Sequence, residues 1–271
     1  MTRAFLHSPK IGWRPSLVLG CIVAALLSVQ TTAQTTYHHI HLAAPSAEAG
    51  VRWYTAFLDC KPWLDRQDGC LMNTTIFAFM TNGSKGGSAG TGVDHIAFSF
   101  PDAASKMRAL ESAGAKVISP FGDYGGPFAS GFIEDPWGTR IEVLQDVRYP
   151  GFHHIHLASA NPDATLNWYQ NAFGGERRLL TGRWQGLLYG SLWLLVSPQQ
   201  SGVLAPSEGR AIDHLSWEAK DLDAEAAAMK QRGVTFREEP HTLVNQRGQR
   251  QKTSVLTGPD GVRIDLVQPQ A

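Results

Sequence analysis

Cysteine is scarce in this chain of 271 residues: there are three, Cys21, Cys60 and Cys70. Nine residues separate Cys60 from Cys70, and neither has a histidine or a second cysteine at ligand spacing, which makes them poor metal-ligand candidates. In an oxidising compartment the two can pair, although spacing alone does not say whether their Cα atoms come within reach. A charge imbalance is also lacking. Lys plus Arg and Asp plus Glu both total 24, so nothing in the balance points to nucleic acid or an anionic membrane. Long apolar runs are missing too. The run from Leu17 to Val29, broken by Gly20 and Ser28, is shorter than the roughly 20 residues a membrane span needs.

What stands at the N-terminus has a different character. Arg3, Lys10 and Arg14 precede that apolar run, no acidic residue occurs before Ala33, and the run exits through Thr31-Thr32-Ala33. A basic start, an apolar middle and a small-residue exit predict a signal peptide over residues 1–33 and export to the periplasm or beyond. Its removal leaves 24 − 3 = 21 basic residues against 24 acidic ones, with no stable membrane association expected.

The rest of the chain is a repeat. Tyr37-His38-His39-Ile40-His41-Leu42-Ala43 returns as Phe152-His153-His154-Ile155-His156-Leu157-Ala158, and Trp53-Tyr54 as Trp168-Tyr169. Asp94-His95-Ile96-Ala97-Phe98 answers to Asp213-His214-Leu215-Ser216-Trp217. The stretch Asp135–Glu142 answers to Gly258–Asp265. Two similar domains are predicted, 35–147 and 151–269. Each divides again into a strand, a helix and further strands. Helices are expected near 47–57, 103–113, 162–173 and 222–232. The predicted class is α+β, built from four βαβββ modules in two pairs. Asn82–Gly92 and Pro198–Arg210 have the Gly/Ser and polar composition of flexible links.

Residues two apart in a strand share a face. His39 and His41 therefore share one face and Ile40 and Leu42 the other; Arg140 and Glu142 oppose Ile141, as Arg263 and Asp265 oppose Ile264. Each half thus offers two histidines and a carboxylate on polar strand faces: His39, His95 and Glu142, then His154, His214 and Asp265. Two imidazoles and one carboxylate suit Fe(II), Mn(II), Ni(II) or Zn(II) and leave positions open for a substrate. Asp265 is a methylene shorter than Glu and must sit closer to the ion or bind it through water. His41 and His156 share the ligand face and serve either as catalytic proton carriers or as outer partners, or they fill a polar wall. Arg140 and Arg263 hold an anionic substrate group or pair with a neighbouring acid. Trp53, Tyr54, Trp168 and Tyr169, on helices, read as core. His241, in a stretch that does not align with the repeat, reads as a surface histidine.

His39-x-x-Leu42, Asp94-His95-Ile96-Ala97-Phe98 and Asp135-Pro136-x-Gly138-x-x-Ile141-Glu142, with their second copies, resemble the vicinal oxygen chelate superfamily of glyoxalases, bleomycin-resistance proteins and extradiol dioxygenases. The resemblance spans nearly all of the chain after the leader. It implies paired βαβββ modules forming a cup around a divalent metal, with His39, His95, Glu142, His154, His214 and Asp265 as ligands. Glyoxalase I commonly takes a fourth ligand from the last strand of a module's first unit. The corresponding stretches here, 75–81 and 192–197, contain no Asp, Glu, His or Gln. Export also argues against chemistry that needs the cell's thiol or CoA cosubstrates. The expectation is a metal-dependent dioxygenase, lyase or isomerase acting on a small oxygen-chelating molecule. The alternative is a metal-free protein that binds or sequesters a ligand, of the bleomycin-resistance type. Both halves of each cup lie in one chain, so a monomer suffices, without excluding a homodimer.

Overall fold

Each of the four α-helices among the described residues begins where the sequence supplies a side-chain acceptor for the unpaired N–H groups of the first turn. Ser46 caps α1 (Ala47–Leu58), Asp102 caps α2 (Ala103–Ser112), Asn161 caps α3 (Pro162–Phe173) and Asp221 caps α4 (Leu222–Gln231), each accepting from a backbone N–H three residues on. Pro162 at the first position of α3 fits a site whose N–H would have no helical partner. These elements belong to a computed structural model that describes residue 1 and residues 35–63, 67–81, 83–200, 202–244 and 248–269. The expected leader lies outside the described residues, Met1 apart. No helix among the described residues is long and apolar enough to cross a membrane.

The strands complete the four modules. The first holds β1 (Thr35–Ala43), α1, β2 (Lys61–Pro62), β3 (Gly69–Met72) and β4 (Thr75–Met80). The second holds β5 (Val93–Ser99), α2, β6 (Lys116–Gly122), β7 (Ser130–Glu134) and β8 (Arg140–Leu144). The third holds β9 (Gly151–Ser159), α3, β10 (Glu176–Leu180), β11 (Trp184–Tyr189) and β12 (Leu192–Pro198). The fourth holds β13 (Ile212–Ala219), α4, β14 (Glu238–Val244), β15 (Arg250–Thr257) and β16 (Arg263–Val267). The expected βαβββ unit is present four times.

How the modules pair departs from the expectation. One eight-stranded sheet runs β14-β15-β16-β13-β1-β4-β3-β2, the other β10-β11-β12-β9-β5-β8-β7-β6. The first module therefore shares a sheet with the fourth, and the second with the third. β1 lies antiparallel to β13, and β5 antiparallel to β9. Chain connection supplies the physical reason. The short link of residues 145–150 returns the chain beside β5, so consecutive modules become sheet neighbours there, as connected elements commonly do. The link 81–92 instead carries the chain from one sheet to the other. Its residues 83–92 are held in place: Ser88 Oγ donates to the carbonyl of Asp94 (2.8 Å) and accepts from the N–H of Arg140 (3.0 Å).

The two sheets meet through one apolar core. Phe77 of the first sheet packs against Phe98 and Phe152 of the second, with ring centroids 5.7 and 4.9 Å apart. Phe173 of α3 stacks on Trp217 of β13 at 4.2 Å and 10°. A stacked pair of this kind adds about 0.5–1.5 kcal/mol to what area burial supplies. Trp53, Tyr54 and Tyr169 are buried in this core and Trp168 packs against it, as read from the sequence. Cys60 and Cys70 form a disulfide, with Cα atoms 5.7 Å apart. It ties the end of α1 to β3.

Candidate metal centres

Strand alternation sends Ile40, Leu42, Ile96, Ile141 and Ile264 into the core, where each is wholly buried. Their neighbours in sequence must face the other way, and on that outer face of each sheet histidines and carboxylates gather. In the sheet centred on β5 and β9, His95, His154 and Glu142 converge. His154 Nε2 is 3.4 Å from His95 Nε2, and Glu142 Oε2 is 3.3 Å from His154 Nε2 and 3.6 Å from His95 Nε2. His156, two residues along β9, brings a third ring to the cluster. In the other sheet His39, His41 and His214 gather. There His214 Nε2 lies 2.7 Å from His41 Nδ1 and 3.4 Å from Asp265 Oδ2.

The six sequence-predicted ligands are thus brought together, but not in the expected sets. His95 and Glu142 from the first half join His154 from the second; His39 joins His214 and Asp265. The regrouping follows from the sheet order, because β9 rather than β1 is the neighbour of β5. His241 stands apart on β14, at the surface, with its Nδ1 2.8 Å from the carbonyl of Glu239. Its segment is a strand and not a loop.

The donor set around Glu142 fits a divalent ion. Two donors about 2.1 Å from a common ion, at a tetrahedral angle, are about 3.4 Å from each other, close to the three separations above. Burial pushes the Glu142 carboxyl up, but hydrogen bonds from His154 and His95 outweigh it and hold the group well below the usual carboxylate range. Burial pushes the His154 imidazole down, toward the neutral form a ligand requires, whereas at His95 the Asp94 and Glu142 carboxylates outweigh burial and hold the ring above its usual value. His156 is driven well below its usual value by burial and then by His95 and His154. Its Nε2 is 2.7 Å from Ser197 Oγ, while its Nδ1 is buried without a hydrogen-bond partner. An unpaired buried nitrogen is costly unless something binds it, and a ring nitrogen of His156 lies within 4.8 Å of ring nitrogens of both His95 and His154. His156 is thus a candidate for the fourth donor that β4 and β12 lack.

The arginines pair with acids. Arg140 Nη1 is 3.2 Å from Asp94 Oδ1, and its guanidinium lies over the Phe132 ring at 4.6 Å. Arg263 spans Asp265 with Nε–Oδ1 3.0 Å and Nη2–Oδ2 3.2 Å, and also reaches Asp213 and Glu208. A cavity of about 670 Å³ opens over the Glu142 cluster, walled by Phe128, Phe132, Trp184 and Leu180. A second, of about 630 Å³, opens over the Asp265 cluster, with Trp63, Phe79 and Leu243 in its wall.

Four residues carry parts of both sites that strand periodicity did not assign. Asp94 and Asp213 lie 2.6 and 2.5 Å from Nδ1 of the histidines that follow them, and His38 and His153 lie 2.7 and 2.8 Å from Nδ1 of His39 and His154. Their signal was the doubled His-His and the Asp-His pair, each present in both copies of the repeat.

Solved structures share this architecture at low identity. Glyoxalase I from Zea mays superposes with a TM-score of 0.66 at 16% identity, covering 86% of this chain and 92% of that one. A mutant of that enzyme gives 0.68 at 18%, covering 86% and 92%. A candidate dioxygenase from Bacillus subtilis gives 0.57 at 15%, covering 89% and 87%. No curated protein matches the chain. At these identities the likeness concerns fold. Family membership rests on sequence: residues 36–143 and 151–266 each match the same family, and these are the segments that supply the four modules and both histidine–carboxylate clusters. The chain belongs to the Glyoxalase/Bleomycin resistance protein/Dioxygenase superfamily.

Proposed function

We propose that this chain is an exported enzyme that uses a divalent metal to act on a small substrate presenting two neighbouring oxygen atoms, by dioxygenase, lyase or isomerase chemistry. The observation that carries the reading is the convergence of His95, His154 and Glu142 to within 3.6 Å of one another in the wall of a cavity, with a ring nitrogen of His156 within 4.8 Å of both imidazoles. Imidazole and carboxylate donors fit Fe(II), Mn(II), Ni(II) or Zn(II). Such an ion would serve as a Lewis acid toward the substrate oxygens, or as the dioxygen-handling centre if it is iron.

The chain's own residues supply the rest. Phe128, Phe132 and Trp184 keep water from one side of the cavity and favour a substrate with an apolar or aromatic body. Arg140 is fixed by Asp94 and Phe132, so its charge is already oriented before an anionic substrate arrives. With Nε2–H given to Ser197, His156 presents a lone pair at Nδ1, as a fourth donor or as the acceptor of a substrate proton. Export is supported by the Cys60–Cys70 disulfide, a bond that persists in oxidising compartments, together with the leader-like residues 1–33.

The test is the metal content of the chain from Gln34 onward, purified without oxygen and measured by plasma mass spectrometry. One or two equivalents of iron, manganese, nickel or zinc, with turnover that stops on chelation, are expected. A folded protein that stays metal-free after reconstitution and binds aromatic ligands would move the assignment to the ligand-sequestering reading.

A further inference from the structure

The two central strand pairs contain four β-bulges, and each places its extra residue directly before a proposed ligand histidine. Between β1 and β13, Tyr37 faces Trp217 and His39 faces Ser216, leaving His38 as the extra residue; farther along, His41 faces His214 and Leu42 faces Ile212, leaving Asp213. Between β5 and β9, Val93 faces Leu157 and His95 faces His156, leaving Asp94; Ala97 faces His154 and Phe98 faces Phe152, leaving His153. In a regular strand the residue before an outward-facing histidine points into the opposite face and cannot reach its ring. A bulge re-aims the extra side chain. All four extra residues accordingly end within 2.8 Å of Nδ1 of the histidine that follows.

We infer that His38, Asp94, His153 and Asp213 are positioning residues that fix the four ligand imidazoles with a proton on Nδ1 and with Nε2 turned into the cup. The inference rests on the metal-site reading above for its purpose, though not for its geometry. For His95 and His214 the direction is forced, because a carboxylate can only accept, so Nδ1 must donate. For the His–His pairs, two Nδ1 atoms share one proton, and the far side of the outer ring decides which carries it. His153 Nε2 faces Asp146 Oδ2 at 3.5 Å, and Asp146 is itself gripped by Arg148 at 2.9 and 2.8 Å. His153 therefore keeps its proton on Nε2 and accepts at Nδ1. In the other cup His38 Nε2 faces Glu218 Oε2 at 3.8 Å, and Thr36 donates to the other oxygen of Glu218 at 2.9 Å. Asp146 follows β8 whereas Glu218 lies within β13, so the repeat does not account for the match: two non-equivalent carboxylates stand behind two equivalent histidines. Partners of this kind orient a ligand ring and raise its basicity, and losing one typically costs about 10–100-fold in metal affinity.

The first measurement uses the whole chain without metal and with ¹⁵N-labelled histidine. Long-range ¹H–¹⁵N correlation spectra report each ring's tautomer. His39, His95, His154 and His214 are each expected to carry a proton on Nδ1, whatever the state of Nε2; an Nδ1 without a proton on His95 or His154 overturns the inference whether or not the protein binds metal. Cobalt(II) affinity and visible spectrum are then compared for His153→Phe and His153→Asn. The Phe variant is expected to lose about 10–100-fold in affinity at the Glu142 cup while the Asp265 cup keeps its own. The Asn variant retains an acceptor near the position of Nδ1 and is expected to recover most of the loss together with the spectrum. Equal affinity in His153→Phe and the unaltered protein, or no recovery with Asn, overturns the role of His153. Absence of metal binding in the unaltered protein with all four tautomers as expected would instead sink the proposed function and leave the hydrogen-bond assignment standing.

Discussion

Arg263 takes both oxygens of Asp265, at 3.0 and 3.2 Å, whereas among the described residues the carboxylate of Glu142 pairs with two imidazoles and with no arginine. A carboxylate already paired with a guanidinium must surrender that pair, or share it, before it can bind an ion, and the nearby positive charge opposes a second one. The two cups should therefore load unequally, with the Glu142 cup filling first. Zinc titration against a chelator is expected to show a tight and a weaker phase. Glu142→Gln should weaken the tight phase by about tenfold or more, extrapolating from the effects of outer partners, and Arg263→Met should tighten the weaker one. Loss of the weaker phase in Glu142→Gln would reverse the assignment.

His156 can be tested separately from the three donors beside it. Its unpaired Nδ1 predicts that His156→Ala lowers the affinity of the Glu142 cup by about tenfold, the lower end of what an outer partner costs. Ser197→Ala, which removes only the partner of Nε2, should cost less. An intact tight phase with turnover lost would assign His156 to proton transfer.

A packing exchange distinguishes the two halves away from the sites. Gly50 of α1 lies against Phe79 of β4, where a Cβ would come within 2.3 Å of the ring. The corresponding positions in the second half are Thr165 and Val196, a larger residue on the helix and a smaller one on the strand. Gly50→Ala should destabilise by about 1–3 kcal/mol through overpacking, despite the better helix propensity of alanine. Adding Phe79→Val should recover part of that loss, giving a coupling of about 1–2 kcal/mol in a urea-denaturation double-mutant cycle. Additive effects would show that the ring has room to move.

Asp135 gives stability a pH dependence with a definite sign. It accepts from the N–H groups of Trp137 and Thr139 and from the Tyr54 hydroxyl at 2.8–3.0 Å, yet burial pushes its carboxyl up to about 6. The folded value exceeds the unfolded one, so the folded state holds the proton more tightly. Stability falls as pH rises through roughly 4 to 6, by roughly 3 kcal/mol in total from this group, and the loss is complete above that window. In Asp135→Asn this component vanishes. The difference in unfolding free energy between the two proteins should change between pH 4 and pH 7 in favour of the variant; a constant difference would contradict the shift.

Local features were legible in the sequence where they are set locally. The helix expected at 162–173 is Pro162–Phe173 because Asn161 and Pro162 mark its start and Gly174 its end. The alternation of His39, Ile40, His41 and Leu42 was readable because the core accepts only one face. The sheet pairing was not, since equivalent modules carry the same apolar pattern and either β1 or β9 would satisfy the face of β5. Nor were the bulges. An extra residue exists only relative to a partner strand, so His38, Asp94, His153 and Asp213 looked as though they pointed away from the rings they hold. Arg263 and Asp265 were read correctly as sharing a face, and pairing with a neighbouring acid was one of the two readings of Arg263; that the acid is Asp265, taken by both oxygens, depends on side-chain reach that strand spacing does not reveal.

Because β1 is paired with β13 and β5 with β9, dividing the chain between residues 145 and 150 would not yield one good site and one spoiled one. Each fragment would carry part of both and the whole of neither. Duplication ordinarily frees one copy of a gene to drift while the other keeps working. Here each copy lends strands to both sites, so a change in either copy is felt by its partner's residues as well as its own. The contrast between Glu142 and Asp265 therefore lies between two jointly built clusters, not between one intact copy and one altered copy.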